Sequence, residues 1–486
     1  MGRLGAAHPH RRPHRLGQTN RLLIPIIRDL PGPAMVASTE PAIFEYTVTA
    51  RQHRRQSVRS TLLTRLCGRW LPTREYPIAV VDFTAPEQRY AAGYTRIRCS
   101  PIRGAEDFTV AHRRAVSLVS GVDAANPAQQ QGSDNDKFWR DSAAEVLAAW
   151  LHAAALSGRD IDDLLAWNDD LTDPTPRRIL RDDPRATRSA LTNLGTHLDP
   201  AADKTTSGVR RYLTLAVNSL ATDDARELCG TTTDTQFDMC GFIEQGGTLY
   251  LLTDASRADR ARPLLSLIAG EMFLAAATVA LSTPQRRLPQ PFIAALDELR
   301  YAVTIPNLPY VANALRKFGI GYVYAIQNAT QEDRVYGADA PALRAAAGVS
   351  IYGGIDIDSA REISDRAGPT PVVTATRGTR GFTLANGQHT PAAERRSEHI
   401  QSLPALTISD QQQLPDGAAV VVARGLAPFF LYSPDFRNRR SLRRKLDREA
   451  ATVARAVAIA RERDLAVRRF HSAATVAGAT FQPPSP

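Results

Sequence analysis

Cysteine is scarce in this chain: four in 486 residues, at Cys67, Cys99, Cys229 and Cys240. No two form a CxxC pair, and none has histidine partners at zinc-ligand spacing. That excludes a disulfide scaffold and a zinc ribbon, and reads as isolated reduced thiols in a cytosolic protein. The N-terminus, MGRLGAAHPHRRPHRLGQTN, lacks the apolar core of a secretory signal. Its histidines, His8, His10 and His14, alternate with arginine and are expected to be solvated rather than metal-binding. No internal repeat is present. One stretch is apolar enough to suggest a membrane span, PLLSLIAGEMFLAAATVALS at 263–282. Glu271 stands in its middle, and a lone central carboxylate is costly in lipid, so a buried helix is expected and no transmembrane segment.

Charge, by contrast, is plentiful. Lys and Arg number 60 against 50 for Asp and Glu, a net charge of +10. A basic balance favours anionic partners: nucleic acid, nucleotides or an anionic membrane surface. Arginine greatly outnumbers lysine, which suits a high-GC coding sequence as well as it suits phosphate recognition. The length allows a large core and exceeds one small domain.

Residues 20–38, NRLLIPIIRDLPGPAMVAS, read as a helix, a turn at LPGP and a short strand, with Pro25 an awkward guest in the helix. Apolar, β-branched runs predict strands at 76–84 (with Asp82 near its end), 246–254, 291–298, 319–328 and 348–354. Helical patterns lie between most of them, so the spacing predicts an α/β fold with a largely parallel, buried sheet. From 136 to about 225 no strand pattern appears. DKFWRDSAAEVLAAWLHAAALSG opens this block with Asp136 as the expected N-cap, and further helices are expected at 159–168, 174–181 and about 185–222. It reads as an all-α insertion, with Trp139, Trp150 and Trp167 in its packing. The stretches 122–136 and 367–397 read as loops. A helical turn and two last strands, a hairpin at the sheet edge, are expected after Thr407. The tail from Arg437 to Arg469 is helical in pattern and strongly basic; a solvated face is the plain expectation, contact with DNA phosphates the sharper one.

The stretch PFIAALDELR carries the chemistry. An apolar strand runs straight into Asp297 and Glu298. This is the Walker B arrangement, in which the strand fixes both carboxylates at the carboxyl edge of a parallel sheet. There Asp297 would hold the hydration shell of Mg²⁺, and Glu298 would orient and polarise the water that attacks a γ-phosphate. Taken alone, the pair reads equally well as two solvated acids capping the next helix. A Walker B also needs an upstream phosphate-cradling loop, GxxxxGK[ST]. RPHRLGQT at 12–19, followed by the helix NRLLIPIIRD, stands in the right place. Gly17 and Thr19 fit; Arg12 replaces the first glycine and Gln18 replaces the lysine.

Several longer stretches point the same way: LGQTNRLLIPIIRDLPGPAMVASTEP, YPIAVVDFTAP, RCSPIRG, DKFWRDSAAEVLAAWLHAA, FIAALDELRYAVTIPNLPYVANALRKFGIGYVYAIQNATQEDRVYG and SIYGGIDIDSAREIS. On them the chain resembles the TraG/TraD-type coupling proteins of type IV secretion and conjugation, in the FtsK/HerA group of RecA-like ATPases. The closest likeness is to actinobacterial members. The likeness runs to about residue 435 and is most specific over 291–365, the block called the TraM-recognition domain of TraD and TraG.

The resemblance implies a RecA-like P-loop NTPase fold with a largely parallel sheet flanked by helices and an all-α insertion. It implies a first part of that domain over 1–135, the insertion over 136–225, the second part over 226–435 and a basic tail over 436–486. ATP and Mg²⁺ are the implied cofactors, bound through Gly17, Gln18, Thr19, Asn20 and Asp297, with Thr19 and Asp297 on the metal, partly through water. Glu298, Arg316 and Gln327 are the implied catalytic residues: the water-polarising acid, an arginine finger reaching a neighbouring subunit's site, and a sensor of the γ-phosphate. Implied partners are DNA, single-stranded or relaxase-bound, relaxosome and secretion-channel proteins, and further copies of the chain in a ring, with cytoplasmic placement at the inner face of the plasma membrane. Gln18 departs from the family pattern: a neutral amide cannot neutralise charge as an ammonium does. A non-catalytic regulatory paralogue and a DNA translocase unrelated to secretion are the alternatives. Members of the family usually carry transmembrane helices ahead of the phosphate loop; the expectation here is a chain without them, or one shortened or decayed.

Overall fold

The computed structural model describes residues 17–55, 73–85, 89–122, 134–198, 203–230, 235–299, 302–306, 308–326, 329–353, 355, 357–380 and 393–476. Arg12, His8, His10, His14, Cys67, Gln327 and most of the 122–136 stretch lie outside them. The chain divides into two compact units, one of residues 23–346 with 439–486, the other of residues 1–22 with 347–438.

The first unit opens with α1 (Ile24–Asp29), β1 (Ala34–Ser38) and α2 (Pro41–Gln52), then the short pair β2 (His53–Arg55) and β3 (Thr73–Glu75). β4 (Ile78–Asp82), β5 (Thr95–Arg96) and α3 (Phe108–Ser120) follow. A helical block holds α4 (Asp134–Ser157), α5 (Ile161–Asp169), α6 (Thr175–Asp182), α7 (Arg188–His197), α8 (Asp203–Asn218) and α9 (Asp223–Cys229). After α10 (Met239–Glu244) come β6 (Thr248–Leu252), α11 (Ala258–Ser282), β7 (Phe292–Leu296), α12 (Leu308–Leu315), β8 (Ile320–Tyr324), α13 (Ala329–Tyr336) and α14 (Ala340–Ala346).

Six strands pair in the order β5-β4-β6-β1-β7-β8, every neighbouring pair parallel. Apart from the two-residue edge strand β5, their sequences are largely apolar runs rather than alternations, because crossover helices cover both faces; β1 and β6 are buried along their whole length. Pro25 falls in the first turn of α1, where its missing N–H costs nothing, and a π-helical turn over Thr19–Leu23 precedes it. From β1 the chain crosses by α2 to β4, and from β6 it crosses by α11 past β1 to β7. Right-handed crossovers in opposite directions put α2 and α11 on opposite faces and open a crevice at the carboxyl ends of the strands around β1.

At the opposite, amino edge two arginines are buried with no carboxylate against them among the described residues. Arg51 donates to the carbonyls of Leu30 and Gly32 and to Thr248 Oγ1 at 3.0 Å, and Arg54 to Pro31, Gly32 and Gly246 carbonyls. Burial, and then the neighbouring Arg54, hold the Arg51 guanidinium down at about 9.

The all-α expectation holds, with two differences. α4 begins at Asp134, so Asp136 lies inside the first turn and is not the N-cap. The helical stretch expected over about 185–222 is two helices, the first ending at His197 and the second beginning at Asp203. Trp150 and Trp167 are buried edge to face at 6.3 Å, and Trp139 packs against the same core. His152 is a core histidine with both ring nitrogens engaged, Nδ1 to the Ala105 carbonyl at 2.8 Å and Nε2 to the Thr187 amide at 3.2 Å. Cys99 and Cys229 are buried free thiols, and burial pushes Cys99 up to about 12. Among the described residues α11 is the helix long and apolar enough to cross a membrane. Most of it is buried in the core, and Glu271 on it pairs with Arg113 and Arg114 at 3.0 and 3.1 Å.

The second unit corrects two expectations. β9 (Val349–Tyr352) does not join the parallel sheet; it pairs antiparallel with β12 (Ala418–Ala423), which pairs antiparallel with β13 (Phe429–Tyr432). The expected final hairpin is therefore real but borders its own three-stranded sheet. The segment read as loop, 367–397, instead forms most of a long antiparallel pair, β10 (Pro369–Arg380) with β11 (Ala393–Pro404). Its glycines and prolines suggested turns, but Val372, Val373, Thr374 and Thr376 are β-branched and favour a pleated strand. α15 (Ile357–Ala367) lies between β9 and β10, and α16 (Ile408–Gln412) between β11 and the final hairpin. The chain then returns to the first unit as α17 (Arg440–Val476), which packs on α2, with Tyr46–Asp447 at 3.2 Å, and reaches α1 through Arg28–Glu449 at 2.8 Å.

The parallel sheet sets the stability of the first unit. Phe292, fully buried at the start of β7, meets Phe273 of α11 edge to face at 5.6 Å. Phe292→Ala is expected to lower the unfolding free energy by about 3–5 kcal/mol, read as a lower urea midpoint.

Candidate active site

β7 delivers Asp297 and Glu298 to the carboxyl edge of the sheet, beside the end of β1. The Asp297 amide donates to the Ala37 carbonyl at 2.9 Å, which continues the β1–β7 ladder one residue beyond the strand. The Asp297 side chain is buried, 3% exposed. Ser38 Oγ donates to its Oδ2 at 3.1 Å, and the same Oγ accepts from the Glu40 amide at 2.8 Å. The carboxylate is thus aimed by a hydroxyl that is itself held by the loop after β1.

Glu298 has φ of 57°, in the left-handed region, one of two non-glycine residues described there. For an L side chain this costs about 1–2 kcal/mol. Ala325, just past β8, brackets the turn: its amide donates to the Leu296 carbonyl at 2.9 Å and its carbonyl accepts from the Leu299 amide at 3.2 Å. β1 on one side and β8 on the other leave the two carboxylates little freedom, so the strained backbone persists. Glu298 is half-buried, with Thr39 Oγ1 at 3.4 Å from Oε2. The result is one buried carboxylate and one accessible carboxylate on adjacent residues.

Asp82, the acid near the end of β4, does something else. Its Oδ1 accepts from the Thr84 amide and hydroxyl at 3.0 and 2.5 Å, its Oδ2 from the Tyr90 and Ala91 amides at 3.0 Å each. All four bonds fasten its own loop, a structural role.

In the other unit, Gly17 has φ of 64°, a conformation that favours glycine. Its carbonyl accepts from the Arg21 amide at 3.0 Å, and Gln18 leads into the π-helical turn that Thr19 and Asn20 open. Arg21 anchors this segment: its Nη1 donates to the Ser433 carbonyl at 2.8 Å, and its carbonyl accepts from Ser433 Oγ at 2.9 Å. Arg21 also fills the space above Gly417, where a Cβ would lie 2.2 Å from Nη1.

Arg316 is exposed in the 3₁₀ turn that precedes β8. Ile320 pairs with Phe292 and Tyr324 with Leu296, so Arg316 stands at the amino edge of the sheet and Glu298 at the carboxyl edge. The length of β8, roughly 13 Å at the usual rise, separates them. Within one chain they are not brought together. Gln327 lies outside the described residues, two positions beyond Ala325. Sequence reasoning missed Ser38, Thr39 and Ala325. The first two carried a signal, a Ser-Thr pair closing an apolar strand; Ala325 acts through its backbone and carried none.

The family described as the type IV secretion-system coupling protein DNA-binding domain matches residues 122–430. Among solved structures, the unbound monoclinic form of the bacterial conjugative coupling protein TrwBdeltaN70 is 17% identical, with 88% of this chain and 89% of that chain covered and a TM-score of 0.50. The trigonal form of the same protein, in complex with sulphate, is 16% identical, covering 88% and 90%, also at 0.50. At such identity these two support the fold. No curated protein matches the chain.

The strain at Glu298 can be isolated by comparing two variants that both remove its carboxylate. Glu298→Gly is expected to be more stable than Glu298→Ala by about 1 kcal/mol in thermal denaturation, because only glycine occupies the left-handed region freely.

Proposed function

The chain belongs to the type IV secretion-system coupling proteins, and from that premise we propose that it is a nucleotide-hydrolysing member that passes DNA or protein substrates towards a secretion channel. The observation that carries the proposal is the Asp297–Glu298 turn: a buried and an accessible carboxylate, fixed by β1 and β8 at the carboxyl edge of a parallel sheet.

In this reading Glu298 polarises the attacking water and Asp297, aimed by Ser38, is the metal-side acid. Gly17, Gln18, Thr19 and Asn20 bind the phosphates of ATP through backbone amides and side chains. The Thr19 hydroxyl and the Asp297 carboxylate are each a hard oxygen donor of the kind Mg²⁺ takes, directly or through water. When bound, that ion neutralises charge on the β- and γ-phosphates. Gln327 senses the γ-phosphate. Arg316, a sheet-length away from Glu298 in its own chain, serves the site of a neighbouring copy, which asks for a ring. DNA, relaxosome and channel proteins are its partners, at the cytoplasmic face of the membrane, and the basic charge of the chain suits a DNA-lined passage.

A second reading, a regulatory or docking subunit beside an intact motor, is favoured by Gln18 in the lysine's place. An amide donates a neutral hydrogen bond where an ammonium makes a charge-assisted one, roughly twice as strong.

The two readings separate in one set of assays, with purified full chain, Mg²⁺, ATP and DNA. Glu298→Gln is expected to lower kcat by about 100-fold or more, the usual yield of a positioned general base. Gln18→Lys is expected to tighten ATP binding about tenfold, since the gain from a charge-assisted bond is on the order of 1.4 kcal/mol. A parent without turnover whose Gln18→Lys variant gains binding would identify the regulatory subunit. Equal turnover by parent and Glu298→Gln would rule out the hydrolytic role of the turn.

A further inference from the structure

Beside the Asp297–Glu298 turn lies a buried acid that the proposed reaction does not use. Glu332, on α13, is 1% exposed. One of its oxygens accepts from the Tyr324 hydroxyl at 2.8 Å; the other accepts from Arg344 Nη1, on α14, at 2.7 Å. The same Arg344 nitrogen also reaches Asp333 Oδ1 at 3.2 Å. Burial pushes the Tyr324 phenol far above its ordinary range, and the adjacent Glu332 carboxylate adds to the shift, so this hydroxyl stays a donor.

Tyr324 is the last residue of β8, and the next residue is Ala325. Ala325 holds both flanks of the Asp297–Glu298 turn, the Leu296 carbonyl and the Leu299 amide. A continuous series of bonds therefore runs from Arg344 through Glu332 and Tyr324 to the backbone that fixes the two carboxylates. Tyr322 supplies a natural contrast. It stacks on Tyr324, with ring centres 5.9 Å apart and planes 23° apart, yet its buried hydroxyl has no hydrogen-bond partner. Two tyrosines on one face of one strand thus differ in a single bond to Glu332.

We propose that Glu332, with Tyr324 and Arg344, is a positioning network that holds the Ala325 clamp on the Asp297–Glu298 turn. Glu332 is a positioning residue, since it acts on the carboxylates through Tyr324 and the β8 backbone. A buried carboxylate paired on both oxygens has one arrangement that satisfies it, which is how such groups impose geometry. The chemical consequence of the network rests on the hydrolytic reading of the turn; its mechanical consequence does not.

The test uses the full-length chain and hydrogen–deuterium exchange across residues 292–302. Losing one hydrogen bond of ordinary strength should raise local opening about fivefold. Tyr324→Phe, which leaves the Glu332–Arg344 pair intact, and Glu332→Gln are both expected to speed exchange in this segment. Tyr322→Phe, which removes a hydroxyl without a partner, is expected to leave it unchanged. In turnover assays Tyr324→Phe and Glu332→Gln should lower kcat with the KM for ATP unchanged, a split that general destabilisation does not produce. Unaltered exchange in both Tyr324→Phe and Glu332→Gln overturns the proposal, and so does an equal effect of Tyr322→Phe. Faster exchange together with a parent that hydrolyses no ATP supports the network and refutes the hydrolytic reading instead.

Discussion

β1 is paired on both sides over its length, and the placement of the site follows from that. A strand with β6 on one edge and β7 on the other cannot slide without breaking two ladders at once. Its last residue, Ser38, is therefore delivered to a fixed point, and Asp297 is delivered to the same point by β7. The two crossovers that leave this neighbourhood in opposite directions keep helices off that end of the strands. At the amino end, Arg51 and Arg54 spend their donors on the carbonyls of Leu30, Pro31, Gly32 and Gly246, the turns that lead into β1 and β6. One edge of the sheet is closed by cations tied to backbone, and the other holds one buried and one accessible carboxylate.

Much of this was legible in the residues. β1, β4, β6, β7 and β8 are short apolar runs with β-branched residues, and a sheet covered on both faces demands that composition. The helical block was legible because amphipathic periodicity over many turns is hard to mistake. What misled was local chemistry without its partners. GVSIYGG has the composition of a buried parallel strand, but β9 pairs antiparallel with β12, some seventy residues on, and sequence spacing does not carry that pairing. Glycine and proline between 367 and 397 outweighed the β-branched residues because the long β11 partner was not in view.

The site divides along the same line. Asp297 and Glu298 were found because side chains at a strand end announce themselves. The left-handed backbone of Glu298 was not, since nothing in a glutamate predicts φ of 57°. Nor was Glu332: an acid in TQEDR reads as a solvated helix face, and only the approach of Tyr324 and Arg344 makes it a buried hub. Backbone clamps such as Ala325 leave no trace in side-chain identity at all.

The discontinuity of the smaller unit bears on how the protein is made. Its segment Gly17–Leu22, fastened to Ser433 through Arg21, leaves the ribosome long before the residues it is fastened to. Its partners, residues 347–438, are synthesised more than three hundred residues later. At about 5–20 residues per second the interval lasts on the order of tens of seconds, far longer than helix or hairpin formation. Through that time Leu22 and its neighbours have no native surface of their own unit to pack against. Synthesis order thus keeps residues 17–22 waiting for the native contacts of their own unit until residues 347–438 have been made.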